Sequence, residues 1–123
     1  MVINQKRWRL LRDVKKGKYC FLIGVDNWSI ELQKSEFNSL YFLLLRINEQ
    51  LSGIKNRLMD EESITLELEQ LPWYIQLAGK KNEWSLRFVF ESQDQTRSFE
   101  MYWPTSVAQK LFCEIKTMWE SMD

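Results

Sequence analysis

The 123-residue chain contains no histidine. Its absence removes the commonest general base of enzymes, the usual partner of serine and cysteine nucleophiles, and the commonest zinc ligand. The four glycines, at positions 17, 24, 53 and 79, form neither a phosphate-binding loop nor a dinucleotide-binding motif. We therefore expect no catalytic residues, no cofactor and no enzymatic activity.

Cysteine, net charge and long apolar runs are also scarce. Cys20 and Cys113 form no CxxC pair, which argues against a zinc site and predicts two reduced thiols in the core. Seventeen basic residues balance seventeen acidic ones, whereas a non-specific nucleic-acid binder normally carries a positive excess. The longest apolar run, residues 40–45, is too short to span a bilayer, and the N-terminus lacks a signal-peptide pattern. We expect a cytoplasmic protein without a membrane partner.

Acidic residues are concentrated in the stretch DEESITLELE, residues 60–69. Paired carboxylates can serve as acid and base or can bind a hard cation. A simpler interpretation is favoured here, because Glu67 and Glu69 alternate with apolar residues as outward strand positions do. Residues 60–62 follow a helix end, where negative charge is mildly unfavourable, and are expected to point into water. We therefore expect no metal site.

Apolar alternation predicts antiparallel strands in WSIEL (28–32), SITLELEQ (63–70), EWSLRFVFE (83–91) and RSFEMYW (97–103). The continuously apolar YCFLIGV (19–25) is typical of a central strand. Ser35 is the predicted cap of a helix that begins at Glu36 and carries an apolar stripe to Leu58. A second helix is predicted after Pro104.

The predicted elements follow the order of three strands and a helix, then four strands and a helix. This order predicts one α+β domain over residues 1–123, with pseudo-repeat halves at about 5–58 and 62–121. Each half is a β(3–4)-α unit, and the sheets are antiparallel and bent.

Several segments resemble a cyanobacterial family of domains of unknown function, number 1818. They are WRL (8–10), LIGVDNWSIEL (22–32), LMDEESITLELE (58–69), PWYIQLAGK (72–80) and WSLRFVF (84–90), which cover nearly the whole chain in order. The family is uncharacterised, so the resemblance implies a fold and no activity. That fold is similar to the Whirly-type domain of single-stranded-DNA-binding transcriptional regulators, in which two strand-then-helix units pack around a pseudo-twofold axis. Sharing such a fold does not by itself establish DNA binding.

Basic residues are concentrated near the N-terminus, where residues 1–18 hold seven basic residues and one acid, a net charge of +6. One hypothesis is a β-ribbon that binds single-stranded nucleic acid, with Trp8 or Tyr19 stacking on a base. Its candidate phosphate contacts are Lys6, Arg7, Arg9, Lys15, Lys16 and Lys18. The alternative is that Trp8 faces the core while Arg7 and Arg9 pair with Glu67 and Glu69 across strands.

A protein partner is the other hypothesis that the sequence leaves open. A bare sheet face with Tyr74, Val89 and Tyr102 would indicate a protein-interaction or assembly factor. If the apolar stripes of the two helices are wider than one small sheet can cover, a homodimer is expected. The sequence is thus compatible with a non-catalytic binding module for single-stranded nucleic acid or for protein, as a monomer or a homodimer.

Overall fold

The computed structural model describes residues 2–4 and 7–122. The first half contains β1 (Val2–Asn4), β2 (Trp8–Arg12), a short 3₁₀ turn (Val14–Lys16), β3 (Phe21–Val25), β4 (Trp28–Leu32) and α1 (Lys34–Lys55). The second half contains β5 (Ile64–Gln70), β6 (Trp73–Lys80), β7 (Glu83–Glu91), β8 (Ser98–Trp103) and α2 (Thr105–Glu120).

The strands form two antiparallel four-stranded sheets, with the orders β1-β2-β3-β4 and β5-β6-β7-β8. Each sheet is a simple meander followed by one helix, which confirms the predicted α+β class and the repeated strand-then-helix order. The first sheet has one strand more than the three expected, because the short β1 pairs with β2.

The core lies between the inner faces of the two sheets and the two helices. The predicted alternation holds in β7, where Leu86 and Phe88 are fully buried, and β6 shows the same pattern with fully buried Ile75 and Leu77. The two halves meet at ring contacts between the helices, where the centroid of Trp119 of α2 lies 6.0 Å from that of Phe37 and 5.8 Å from that of Tyr41 of α1. Burial of these large side chains supplies the main driving force for joining the halves.

Helix α1 begins two residues earlier than predicted, and Ser35 is not its cap. Gln33 precedes the helix, and its backbone N–H donates to Glu36 Oε1 at 2.9 Å. The glutamate three positions after the cap reaches back to the cap residue, as in a capping box. The helix ends at Lys55, so Leu58 lies beyond the helical stripe predicted to include it.

Helix α2 begins after Pro104 as predicted and buries one face. Cys113 is exposed and Cys20 is half-buried, so the prediction of two core thiols is wrong for Cys113. Cys113 lies two residues from the buried Leu111 and Ile115, roughly 200° around the helix. Neither described helix is both long enough and apolar enough to cross a lipid bilayer.

The ion pair between Glu36 and Arg97 joins the start of α1 to the loop between β7 and β8. Arg97 Nη1 and Nη2 each donate to a different Glu36 oxygen at 2.9 Å, and the side chains are only 24% and 10% exposed for Arg97 and Glu36. Arg97 Nη2 also donates to the Glu31 carbonyl at 3.1 Å. The hydrogen bond with Glu36 is the main reason that the pKa of Arg97 is raised.

Two further groups hold this junction in place. The Trp73 indole N–H donates to the backbone carbonyl of Glu36 at 3.0 Å, which ties β6 to the same turn of α1. The loop that carries Arg97 is held by Asp94, whose Oδ1 accepts from the hydroxyls of Thr96 at 2.7 Å and Ser92 at 2.8 Å. These hydrogen bonds favour the ionised carboxylate and lower the pKa of Asp94 to about 2.

A double-mutant cycle on Glu36→Ala and Arg97→Ala tests the importance of this junction. We expect a coupling energy of about 1 to 3 kcal/mol, because the pair is bidentate and mostly removed from water. The measurement is the free energy of unfolding from urea denaturation of the wild type, both single variants and the double variant.

The chain contains a matched control in the ion pair between Arg87 and Glu100. Their atoms approach to 3.1 Å, but the side chains are 48% and 63% exposed. The corresponding cycle should give about 0 to 1 kcal/mol. Equal coupling energies in the two cycles would show that the Glu36–Arg97 pair has no special role in joining the halves.

Candidate functional site

The basic N-terminal segment does not form one patch. Arg7 and Arg9 lie at the end of the first sheet that carries the β3–β4 turn, whereas Lys15, Lys16 and Lys18 lie beyond the other end of β2. Arg7 precedes β2 and the lysines follow it, so the five residues of the strand hold Arg7 about 17 Å from the lysines at the usual rise of a strand. Lys6 lies outside the described residues. The predicted site is therefore divided into two separate groups of cations.

Arg7 is engaged by the protein itself. Its Nε and Nη2 donate to the two carboxylate oxygens of Asp26, both at 3.1 Å, and its Nη1 donates to Ser106 Oγ at 2.6 Å. Hydrogen bonding within this pair raises the pKa of Arg7 and lowers the pKa of Asp26. The guanidinium thus links β2, the β3–β4 turn and the first turn of α2.

Arg9 lies flat across Gly24 on the outer face of the first sheet. Its Nη2 donates to the Trp28 carbonyl at 2.9 Å and its Nη1 to the Asp26 carbonyl at 3.2 Å. A Cβ atom on Gly24 would come within 2.7 Å of Arg9 Cζ. A glycine inside a strand often marks a close approach of another group. Gly24 was therefore a signal in the sequence, but it did not show that Arg9 was the approaching group.

The predicted pairing of Arg7 and Arg9 with Glu67 and Glu69 is wrong. The two glutamates belong to β5 in the second sheet, while both arginines interact with the turn that follows β3. Strand parity correctly placed all four side chains on outer faces. It could not show that the strands belong to different sheets, because pairing between strands is decided by the global fold.

Trp8 is a core residue. Its side chain is only 5% exposed and belongs to the main hydrophobic cluster. The inward position follows from strand alternation, because Trp8 and Leu10 share the face opposite Arg9. The predicted role of Trp8 as a base-stacking residue is therefore wrong, since its ring has no accessible face to offer.

The lysines beyond β2 remain more accessible. Lys16 pairs with Glu31, with Nζ and Oε1 3.2 Å apart. Lys15 and Lys18 are exposed and form no ion pair with any residue that the structure describes. The Lys18 ammonium lies 5.8 Å from the ring centroid of Tyr19. The predicted patch is reduced to two accessible cations beside one half-buried tyrosine.

The acidic stretch also forms ion pairs on the surface. Asp60 approaches Lys81 at 3.0 Å and Glu61 approaches Lys80 at 2.7 Å, and both carboxylates are highly exposed. Hydrogen bonding to Glu61 raises the pKa of Lys80. Over residues 2–4 and 7–122, no group of three acidic or cysteine side chains has an arrangement that could hold a metal ion.

A cleft of about 680 Å³ lies between β2 and α2. Arg7, Ser106, Lys110, Cys113 and Glu114 are among its lining residues. Arg7 and Ser106 are already hydrogen-bonded to each other, so neither is poised as a nucleophile or base. The cleft brings together no acid–base pair at the short distances that catalysis requires.

Neither of the two described helices packs on the outer face of the second sheet. The inward residues of β6, β7 and β8 are buried beneath α1 and α2, which leaves Tyr74, Val89 and Tyr102 on the opposite side. Tyr74 and Val89 are direct cross-strand neighbours, and Tyr102 lies diagonally from Val89. Tyr102 is 53% exposed, while Tyr74 and Val89 are half-buried. This bare face is the one that the sequence associated with a protein partner.

Polar side chains surround these apolar groups. Arg87 donates to Glu100 at 3.1 Å beside Tyr102. Partial burial, with help from a hydrogen bond to Glu67, raises the pKa of the Tyr74 hydroxyl. A patch of tyrosines bordered by charges has the composition typical of a protein interface, because tyrosine buries a large ring while its hydroxyl stays solvated.

Comparisons with known proteins are consistent with this fold. The family model described as "Domain of unknown function (DUF1818)" matches residues 4–118, so the chain belongs to that family. A solved structure of a protein of unknown function from Prochlorococcus sp. NATL2A, described as from the DUF155 family, is similar to this chain. It is 33% identical, with a TM-score of 0.89, over 97% of this chain and 98% of that chain. No curated protein matches the chain significantly.

The variant Asp26→Asn tests whether the Arg7–Asp26 pair stabilises the fold. The pKa of Asp26 is lowered in the folded state, so its contribution is present above the unfolded pKa of about 3.9 and is lost as the pH falls. The thermal midpoint should therefore be lower for the variant at pH 7, and the difference should shrink below about pH 4.

Asparagine is the suitable replacement because Asp26 has a φ of 54°, which asparagine tolerates. Glu114→Gln removes a carboxylate that has no ion pair among residues 7–122 and should leave the midpoint unchanged. If the difference in thermal midpoint between the wild type and Asp26→Asn stays constant down to pH 2.5, this result would contradict an electrostatic role of the Arg7–Asp26 pair.

Proposed function

We propose that this protein is a non-catalytic cytoplasmic module that binds another protein through the outer face of its second sheet. The observation that carries the proposal is the bare face itself, where Tyr74, Val89 and Tyr102 lie together and both helices pack on the other side. An exposed aromatic patch bordered by ionised side chains is typical of a protein-binding surface.

The arrangement of the basic residues supports a protein partner over a nucleic acid. Arg7 and Lys16 are paired with Asp26 and Glu31, and Arg9 is held by backbone carbonyls. A cation that already has a partner must lose it before it can contact a phosphate, so it contributes less to binding. The lack of histidine and the engaged polar groups of the cleft between β2 and α2 support a non-catalytic role.

Site-specific photo-crosslinking tests the proposal. A photoreactive phenylalanine analogue at Tyr102 should form a discrete adduct with a partner protein in the cells that produce this chain. Phe42 is the matched control, because it is an aromatic residue of α1 with a similar exposure of 46%. An adduct at Phe42 and none at Tyr102 would indicate that the partner contacts the helices, and this result would contradict the proposal.

A second candidate is single-stranded nucleic acid bound by the loop between β2 and β3. It is favoured by one observation, the exposed Lys15 and Lys18 without ion pairs among the described residues, next to Tyr19. Phosphate contacts supply charge and a tyrosine supplies a stacking surface in such sites.

Fluorescence anisotropy of a labelled single-stranded oligonucleotide separates the two candidates. Two phosphate contacts predict an affinity that falls about sevenfold between 50 and 200 mM salt, and a Lys15→Glu, Lys18→Glu variant should not bind. We expect no measurable binding even at 50 mM if the protein candidate is correct. Arg7 and Arg9 are unsuitable for this test, because both hold the fold together.

A further inference from the structure

We propose that the free edge of β5 binds an extended segment of the partner protein, added to the second sheet as a fifth strand. The segment alternates basic and apolar residues, with the basic side chains on the outer face. This inference rests on the proposed function and specifies the chemistry of the protein partner. Three features of β5 carry it: its unpaired backbone edge, its incompletely buried leucines and its two outward glutamates.

The first feature is the open edge. β5 pairs with β6 along seven residues, Ile64–Gln70, and its other edge pairs with no strand in the described chain. An edge strand presents a row of unpaired backbone N–H and C=O groups, which is a template for another strand. Addition of an extended peptide to such an edge is a common mode of peptide recognition.

The second feature is the inner face of β5. Leu66 and Leu68 are half-buried, whereas their cross-strand neighbours Leu77 and Ile75 on β6 are fully buried. The difference arises because β5 has a neighbouring strand on one side only. Apolar residues at alternate positions of an added strand would extend these two rows and remove the remaining leucine surface from water.

The third feature is the outer face of β5. Glu67 and Glu69 are exposed, and neither forms an ion pair with a residue in the described part of the chain. Glu67 accepts only neutral hydrogen bonds, such as that from Gln76 Nε2 at 3.3 Å. Two carboxylates at a spacing of two residues fit two lysines or arginines at the same spacing on an opposite strand.

A second copy of this chain is disfavoured at the same edge in the register that pairs β5 over its full length. Antiparallel pairing of β5 with itself about its central residue sets Glu67 directly opposite Glu67 of the other copy. Like charges in directly opposite positions are destabilising, and charged residues on edges are a known protection against self-association. The glutamates that oppose self-pairing therefore select for a strand of the opposite charge.

The test uses the full chain and a seven-residue peptide of alternating lysine and valine, with lysine at both ends. Binding is followed by titration in ¹H–¹⁵N NMR spectra. We expect the backbone amides of residues 64–70 to shift most and to become protected from hydrogen exchange. A Glu67→Lys, Glu69→Lys variant should bind the peptide at least about tenfold more weakly, because attraction becomes repulsion at two cross-strand pairs.

Two controls make the charge argument specific. The variant Glu83→Lys, Glu114→Lys has the same change in net charge on other parts of the surface and should bind the lysine–valine peptide as the wild type does. A glutamate–valine peptide should bind the Glu67→Lys, Glu69→Lys variant better than it binds the wild type. Sedimentation velocity should show no self-association through β5 in the wild type.

Three results would overturn the inference: no binding of the lysine–valine peptide at millimolar concentration, binding that charge reversal on β5 leaves unchanged, or shifts centred outside residues 64–70. The first result would mean that Glu67 and Glu69 only protect the edge from aggregation. An adduct at Tyr102 together with any of these results would leave the proposed protein-binding face intact and remove only the strand-addition site.

Discussion

The bidentate ion pair between Glu36 and Arg97 fixes how the two halves of the molecule fit together. It connects residues 61 positions apart and lies at the start of α1. The Trp73 indole N–H donates to the backbone carbonyl of the same glutamate, and Arg97 also donates to the backbone carbonyl of Glu31 in β4. A pair that is mostly removed from water is stable only with near-complete hydrogen bonding, so it permits one relative placement of helix and sheets.

The hydrophobic core depends on that placement. With α1 held at its first turn, Phe37 stacks on Phe21 of the first sheet, and the rest of the apolar face of α1 covers β5 and β6. Helix α2 is held at its own first turn by Arg7, which reaches Ser106. Each helix thus starts at a polar contact supplied by the other half of the chain, and apolar burial then stabilises both.

The functional proposals follow from which charged side chains have partners within the protein and which do not. Arg7 and Arg9, the most suggestive cations in the sequence, are engaged in holding the β3–β4 turn. Glu67 and Glu69 show the opposite behaviour. The sequence suggested that they pair with arginines of the same protein, but neither carboxylate forms an ion pair with a described residue. Among the described residues, the open edge of β5 and its two outward glutamates are without ion-pair partners, and together with the aromatic outer face of the second sheet they support a protein partner.

The amino-acid order alone was enough for most of the local structure, although it misplaced the cap and both ends of α1. Alternation in EWSLRFVFE determined which side chains of β7 face the core, and Pro104 set the start of α2, because both effects act within a few residues. The same spacing could have shown that Cys113 faces away from Leu111 and Ile115. The partners of Arg7, Arg9 and Arg97 were decided only in the tertiary structure, because a charge pairs with whatever the fold brings within a few ångströms, and those groups come from distant segments.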